Sequence, residues 1–248
     1  DFEIFGSFDS YCTDSVIDTV VVNPLPIADA GADQTICFGT TTTIASANIA
    51  ETYTWHYDAI DTLTIGFEVT PSVTTTYYLT VSDLGCSASD QMVVTVNNLP
   101  ITNAGNDVSI CFGETVQLDA DGGFTYTWNT QETLSDSTIK NPLTSPTITT
   151  TYIVTATNTM TGCFKPDTIV VTVYPKPFVD IMNDTAICAG YTFQINVQDS
   201  GRGDIFAWTP ITNISDPTIM EPIANPMITT KYFLNLTDTN GCKATDSI

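Results

Sequence analysis

Cys86-SASDQMVVTVNNLPITNAGNDVSI-Cys111 is the stretch whose reading decides the fold. Twenty-four residues separate its two cysteines, and the same interval separates Cys12 from Cys37 and Cys163 from Cys188. Each of these runs begins with alternating apolar residues (Val20 to Val22, Met92 to Val96, Ile169 to Val173), then crosses a Pro-containing joint. An aspartate, Asp33, Asp107 or Asp184, then stands four residues before the second cysteine. Alternation with a period of two is the pattern of a half-buried β-strand. The complementary intervals, from Cys37, Cys111 and Cys188 to the next cysteine, are 49, 52 and 54 residues. Length therefore varies inside each repeat and not across the joint.

Counted between Cys37, Cys111 and Cys188, the period is 74 to 77 residues, so the 248-residue chain reads as several small domains. Residues 1–24 match only the last strands of a truncated repeat. Fuller repeats follow at 25–98, 99–175 and 176–248, the last stopping inside its final strand. Domains this small bury little core and are commonly stapled, and two cysteines recur in each repeat. That usage points to an oxidising, extracellular compartment. Six basic against 28 acidic residues give a formal charge of -22, which repels nucleic acid and anionic membranes. No apolar run is long enough to insert in a membrane as a helix.

Within each repeat a Gly turn (Phe38-Gly39, Phe112-Gly113, Ala189-Gly190) leads into an alternating strand, and then into an aromatic strand centred on Trp55, Trp128 or Trp208. A Pro-punctuated middle follows, and a Thr-rich corner opens a strand at Tyr77, Tyr152 or Tyr232. A core Trp on the third strand and a Tyr opening the sixth are the anchors of an immunoglobulin-like sandwich. The expected fold class is therefore all-β, a tandem array of Ig-like β-sandwich domains with seven short strands each in two antiparallel sheets. The usual disulfide between strands B and F is missing, and the cysteines fall instead in the A–B and F–G turns. The Pro-rich joints predict a nearly fixed relation between neighbours, and three repeats in a row would make a rod of roughly 100 Å.

The combination Asp33-Gln34-Thr35-Ile36-Cys37-Phe38-Gly39, Tyr53-Thr54-Trp55, Thr74-Thr75-Thr76-Tyr77 and Gly85-Cys86 resembles the tandem Ig-like (PKD-like) repeats of very large bacterial surface adhesins. These include SprB-type gliding-motility adhesins exported by the type IX secretion system. The likeness covers the whole chain, with Asp180-Ile181-Met182-Asn183-Asp184 departing most from the pattern. It implies a stalk or filament module at the bacterial cell surface, associated with the outer membrane, and carries over no catalytic residue.

Catalysis is set aside on inventory: the one histidine, His56, points away from the Trp face, which leaves no His-based metal cluster or triad. No cofactor is expected. Asp33, Asp107 and Asp184 are candidate calcium ligands at the repeat junctions, against the plainer reading that Asp suits strand starts and turns. Arg202-Gly203-Asp204 is an integrin-type tripeptide, against the favoured plainer reading of Gly-flanked polar residues in the loop between strands B and C. Asp followed by Ser or Thr recurs in the manner of O-glycan acceptor motifs of the same bacterial group, which makes Ser15, Thr19, Thr62, Ser137, Thr168, Thr185 and Ser247 candidate glycosylated hydroxyls.

Two functions compete on this evidence: a structural stalk giving reach and tensile strength, and a module gripping polysaccharide or a host protein through exposed loops. Tyr53, Tyr57 and Phe67 are the candidate aromatic platform for the second. The expected partners are neighbouring repeats of the same chain, with surface polysaccharide or other fibres as further candidates. Strands A and G of such a sandwich run the same way, which puts the A–B and F–G turns at opposite ends of a domain, roughly 20 Å or more apart. Disulfide partners need Cα atoms within about 7 Å. The favoured pairing therefore crosses the joint, Cys37–Cys163 and Cys111–Cys242, with Cys12, Cys86 and Cys188 left over. The alternative is pairing within each repeat, Cys37–Cys86, Cys111–Cys163 and Cys188–Cys242.

Overall fold

The structure is a computed structural model that describes residues 2–4, 16–18, 20–58, 60–129, 133–199, 201 and 205–248. The chain divides into two compact units, Asp1–Leu99 and Pro100–Ile248. All the regular structure among the described residues is β, as the alternating pattern and the Gly, Pro and Asn punctuation require.

The first unit opens with a short antiparallel ladder between β1 (Phe2–Ile4) and β2 (Val16–Asp18). The first sandwich follows: β3 (Gln34–Cys37), β4 (Thr42–Ala45), β5 (Thr52–Tyr57), β6 (Ile60–Thr62), β7 (Gly66–Val69), β8 (Thr75–Asp83) and β9 (Cys86–Asn97). Its larger sheet has the order β3-β9-β8-β5-β6, and β4 pairs with β7 across the core. The last two strands of the larger sheet's hairpin, β8 and β9, run to 9 and 12 residues, longer than the short strands expected. Within otherwise antiparallel pairing, β3 runs parallel to β9 with Gln34 opposite Val94 and Cys37 opposite Asn97, the common direction expected of strands A and G.

The second unit holds two sandwiches. One contains β10 (Val108–Cys111), β11 (Val116–Gln117), β12 (Thr125–Trp128), β13 (Leu143–Thr144), β14 (Thr150–Thr157) and β15 (Phe164–Tyr174). That is six strands among the described residues where seven were expected, in sheets β10-β15-β14-β12 and β11-β13. Here too the leading strand is parallel to the last, with Val108 opposite Val171 and Cys111 opposite Tyr174. The third sandwich has β16 (Val179–Ile181), β17 (Phe193–Gln194), β18 (Val197–Asp199), β19 (Ile205–Thr209), β20 (Ile223–Ala224), β21 (Phe233–Thr237) and β22 (Lys243–Ser247). Its sheets are β19-β21-β22, β17-β20 and β16-β18, and among the described residues no strand pairs alongside residues 182–192.

Each sandwich has its own core, centred on Trp55 with Tyr77, Trp128 with Tyr152, and Trp208 with Tyr232. All six rings are buried. The residue two after each Tyr is Leu79, Val154 or Leu234, the place a strand-F cysteine takes in antibody domains. It shares its cluster with a buried strand-B aliphatic, Ile44, Leu118 or Ile195. Aliphatic packing thus stands where the missing disulfide would be. Trp128 Nε1 donates to the Ile139 carbonyl and Trp208 Nε1 to the Ile219 carbonyl, each at 3.0 Å. Those two indoles therefore meet their single polar requirement, whereas Trp55 Nε1 is buried with no hydrogen-bond partner among the described residues. The Tyr152 hydroxyl lies 2.6 Å from Thr144 Oγ1 and 2.7 Å from Thr133 Oγ1, and the Tyr232 hydroxyl donates toward the Thr212 and Asn213 carbonyls. Burial, with smaller contributions from nearby Tyr57 and Asp58, pushes the Tyr77 phenol up, and burial alone does the same at Tyr232.

Candidate functional site

The residues that recur at fixed spacing converge on the seam between the leading strand and the last strand of each sandwich. Parallel strands have slanted ladder bonds, so polar side chains complete the seam where the main chain does not. In the first sandwich the Val93 amide donates to Asp33 Oδ1 at 2.8 Å, and the Ala30 amide donates back to Asp90 Oδ2 at 2.8 Å. In the second, the Val170 amide donates to Asp107 Oδ1 at 2.8 Å, and the Ala104 amide to Asp167 Oδ2 at 2.8 Å. These reciprocal clasps lock the two edges in register. Backbone donation from Ala30, then from Gln91, holds the Asp90 carboxyl below its usual range.

A threonine closes the far end of each seam. Thr74 Oγ1 accepts the Val96 amide and Thr149 Oγ1 the Val173 amide, each at 3.1 Å. The Phe38 amide then donates to the Asn97 carbonyl and the Phe112 amide to the Tyr174 carbonyl, each at 2.8 Å. At that point the chain reverses. The Thr40 amide bonds back to the Cys37 carbonyl at 3.0 Å and the Glu114 amide to the Cys111 carbonyl at 2.9 Å. Gly39 and Gly113 take φ of +82° and +86° at the third position of these turns, where a side chain would be strained.

These contacts give Asp33 and Asp107 a use that the sequence reading did not foresee. Their carboxylates hold strand G by its backbone, and the recurrence singled out for calcium is that of a main-chain clasp. Among the described residues no group of three or more His, Cys, Asp and Glu side chains has the arrangement of a metal site. The third member, Asp184, is exposed. The partner carboxylates Asp90, Asp167 and Asp246 were not read as seam residues. Their common position four residues after Cys86, Cys163 and Cys242 was the available signal.

The cysteines mark the two turns that flank the seam. Cys111, in the A–B turn of the second sandwich, is bonded to Cys242, in the F–G turn of the third, with Cα atoms 5.6 Å apart and a sequence separation of 131. Cys37 and Cys163 are also disulfide-bonded, whereas Cys86 and Cys188 are free thiols. The within-repeat alternative is thereby corrected: Cys37–Cys86 and Cys188–Cys242 each need a cysteine that is free, and Cys111–Cys163 needs one already bonded to Cys242. The reason is the one set by strand direction, since the two turns of one sandwich sit at opposite ends. Cys12 lies outside the described residues.

The three rings of the aromatic platform are half-buried against their own core. Tyr57 stacks on Phe67 at 5.7 Å between centroids, Phe67 meets Trp55 edge-on, and Tyr53, Tyr57 and Phe67 all pack against the first core. The Tyr53 hydroxyl is engaged with the Asn48 carbonyl and the Ala50 amide. His56 is exposed, with Nδ1 2.7 Å from Asp61 Oδ1, and touches no nucleophile. Of the candidate glycosylation hydroxyls, Thr168 and Thr185 are exposed, Thr62, Ser137 and Ser247 are half-buried, and Ser15 and Thr19 lie outside the described residues. The Arg202-Gly203-Asp204 tripeptide lies outside them as well.

No family model matches the chain, and no curated protein matches it in sequence. Among solved structures it is similar to a three-domain I-band fragment of titin (11% identity, 91% of this chain and 98% of that chain, TM-score 0.46). It is also similar to the eight N-terminal Ig domains of the Down syndrome cell adhesion molecule (10% identity, 90% and 36%, TM-score 0.43). A third similarity is to three N-terminal domains of the highly immunogenic outer capsid protein of bacteriophage RB49 (15% identity, 85% and 93%, TM-score 0.37).

Proposed function

We propose that this chain is a load-bearing spacer, a segment of a surface stalk in which Ig-like repeats are joined covalently to their neighbours. The observation that carries the reading is the Cys111–Cys242 bond, which ties one sandwich to the next instead of closing a loop within either. A link of that kind adds nothing to a binding face. It resists separation of consecutive domains under tension. The disulfide also requires an oxidising setting, in keeping with an extracellular location.

Cys37 and Cys163 are the repeat equivalents of Cys111 and Cys242, and the proposal extends the same bond to that pair. The resemblance of the repeat motifs to bacterial surface adhesins makes the cell-surface stalk of such an adhesin the specific form of the reading, with the adhesive ligand held elsewhere. Candidate glycans on the exposed Thr168 and Thr185 fit a shaft, where they would shield strand edges. Stretching single chains by their ends, oxidised and reduced, tests the function. A spacer gains a long release of contour on reduction, and an oxidised chain that extends as far as the reduced one would refute it. A glycan array probed with the same protein addresses the rival reading, and saturable binding there would favour a recognition module.

A further inference from the structure

Two covalent runs lie side by side along the second unit, and each changes role at the joint. The first comprises residues 101–111, which end in β10 and lead the second sandwich, the Cys111–Cys242 bond, and β22, the last strand of the third. The second comprises β15, the last strand of the second sandwich, then residues 175–178, and then β16, which leads the third. In the second sandwich the two advance together. The Ala104 amide donates to Asp167, Val108 stands opposite Val171 and Cys111 opposite Tyr174, so residues 104–111 run abreast of residues 167–174. In the third sandwich a side chain holds the runs to each other: β16 pairs with β18, and its Ile181 amide donates to Asp246 Oδ2 of β22 at 2.7 Å. That bond is the third copy of the clasp that Ala30 makes with Asp90 and Ala104 with Asp167.

Tension applied ahead of β10 and beyond β22 has a short covalent route. It passes along β10 to Cys111, crosses to Cys242 and leaves along β22, without entering either core. From Ile101 to Cys111 and from Cys242 to Ile248 is 16 residues, roughly 55 Å at full extension, and the bond adds 5.6 Å between Cα atoms. Because β10 and β22 are already strands, little of that length remains to be drawn out.

We infer that the second unit is a two-ply tie. This rests on the spacer reading and says which residues bear the load. Residues 101–111, the Cys111–Cys242 bond and β22 form the first ply; β15, the joint and β16 form the second. The strands between Cys111 and Cys163, and between Cys188 and Cys242, stand outside the load path and keep the plies in place. Asp107, Asp167 and Asp246 couple the plies, since each carboxylate is borne on one ply and accepts a backbone amide of the other. When the disulfide is open, tension must cross from the first ply to the second within the second sandwich and return within the third. The parallel strands of the seam are then pulled from opposite ends, so their evenly spaced ladder bonds and the clasps resist together in shear. Sequence lengths agree with this division. The run from Cys163 to Cys188, which contains the second ply, has the invariant spacing, whereas the intervals that vary are those outside the path.

Constant-force stretching of single full-length chains tests the inference, with one handle on an azide-bearing residue in place of the exposed Ile101 and the other on a tag after Ile248. In the linked chain the handles should stay within about 60 Å of each other, with or without the seam substitutions. Cys111→Ser with Cys242→Ser opens the first ply, and both sandwiches should then unfold under load. In that opened chain, adding Asp107→Ala and Asp167→Ala should shorten the dwell before the second sandwich unfolds at least about tenfold. Ser135→Ala is the control, because it removes the acceptor of the Leu143 amide in a ladder outside the path. That contact is still made when the seam gives way, so the dwell should stay near that of the opened chain without it. If melting shows that the doubly substituted second sandwich no longer folds, Asp246→Ala reads the same coupling in the third. Seam substitutions that leave the dwell unchanged, or a Ser135→Ala effect as large as theirs, overturn the inference. Neither result touches the spacer reading, which fails only if the linked chain extends as far as the opened one.

Discussion

Replacing Cys242 with serine breaks the bond to Cys111 and opens a loop of 131 residues. In the chain-entropy account a cross-link closing a loop of that size stabilises the fold by about 5 kcal/mol. Denaturant unfolding of the second and third sandwiches should therefore shift by several kcal/mol. The mechanical readout discriminates further. A fully extended chain bypassed by this bond is shorter by 131 residues, roughly 430 Å at about 3.3 Å per residue. If Cys37 is bonded to Cys163, that second link bypasses 126 residues and its loop overlaps the first. The taut path then runs from Cys37 to Cys163, back to Cys111 and across to Cys242, and Cys242→Ser alone lengthens the extended chain by 27 residues, roughly 90 Å, with the load carried by the remaining link. The double variant Cys163→Ser, Cys242→Ser should release the whole bypassed length of 153 residues, roughly 500 Å. Force spectroscopy on end-tethered chains, with the unfolded length taken from the force curve, reads both cases. A full release by Cys242→Ser alone would refute the overlapping staples.

Trp128→Ala should cost about 3 to 5 kcal/mol, because the ring is buried and its Nε1 is satisfied; an unchanged melting curve would show that the core lies elsewhere. Asp107→Ala removes the acceptor of the Val170 amide and should cost about 1 to 3 kcal/mol, with faster amide exchange at Val170 as the local mark. Asp90 has a folded pKa held below the ordinary aspartate value, so its contribution is present above that value and lost as pH falls through the lowered one. Acid melts of wild type and Asp90→Asn should accordingly converge at low pH and separate above about pH 4. Intact-mass measurement of the protein from a surface-secreting host should show hexose-type additions at Thr168 or Thr185; an unmodified mass removes the glycan proposal.

The sandwich was legible because its signals are local and repeated. A Trp, a corner Tyr and period-two strands say the same thing in each repeat, and the absent B–F cysteines leave aliphatics at those sites. The common direction of strands A and G was legible from the sandwich topology, but the side chains that close the seam between them were not, since alternation reports which face a residue occupies and not what its side chain holds. Asp33 and Asp107 show the consequence. Their fixed spacing was visible, yet a carboxylate that binds main-chain amides and one that binds a cation look alike until the partner strand is known. In the second sandwich strand E is cut to Leu143 and Thr144, between prolines that donate no amide.

The invariant 24-residue run and the disulfide explain each other. From Cys163 the chain passes down strand G, through Pro175 and Pro177, and along the leading segment of the next sandwich to Cys188. Inserting one residue in either strand would turn its core face outward, moving Val171 and Val173 off the apolar side. Inserting one in the joint would leave both faces intact and displace the next sandwich by as much as about 3.5 Å. That is enough to carry Cys242 from its 5.6 Å Cα separation out of disulfide reach. The loops between Cys111 and Cys163, and between Cys188 and Cys242, carry no such requirement, and their lengths vary. A one-glycine insertion between Pro175 and Lys176 should therefore leave both cores folded by tryptophan fluorescence while abolishing the Cys111–Cys242 link in non-reducing peptide maps. An insertion between Asp121 and Gly122 should leave that link in place. If the joint insertion kept the disulfide, the spacing would have to be attributed to something other than the staple.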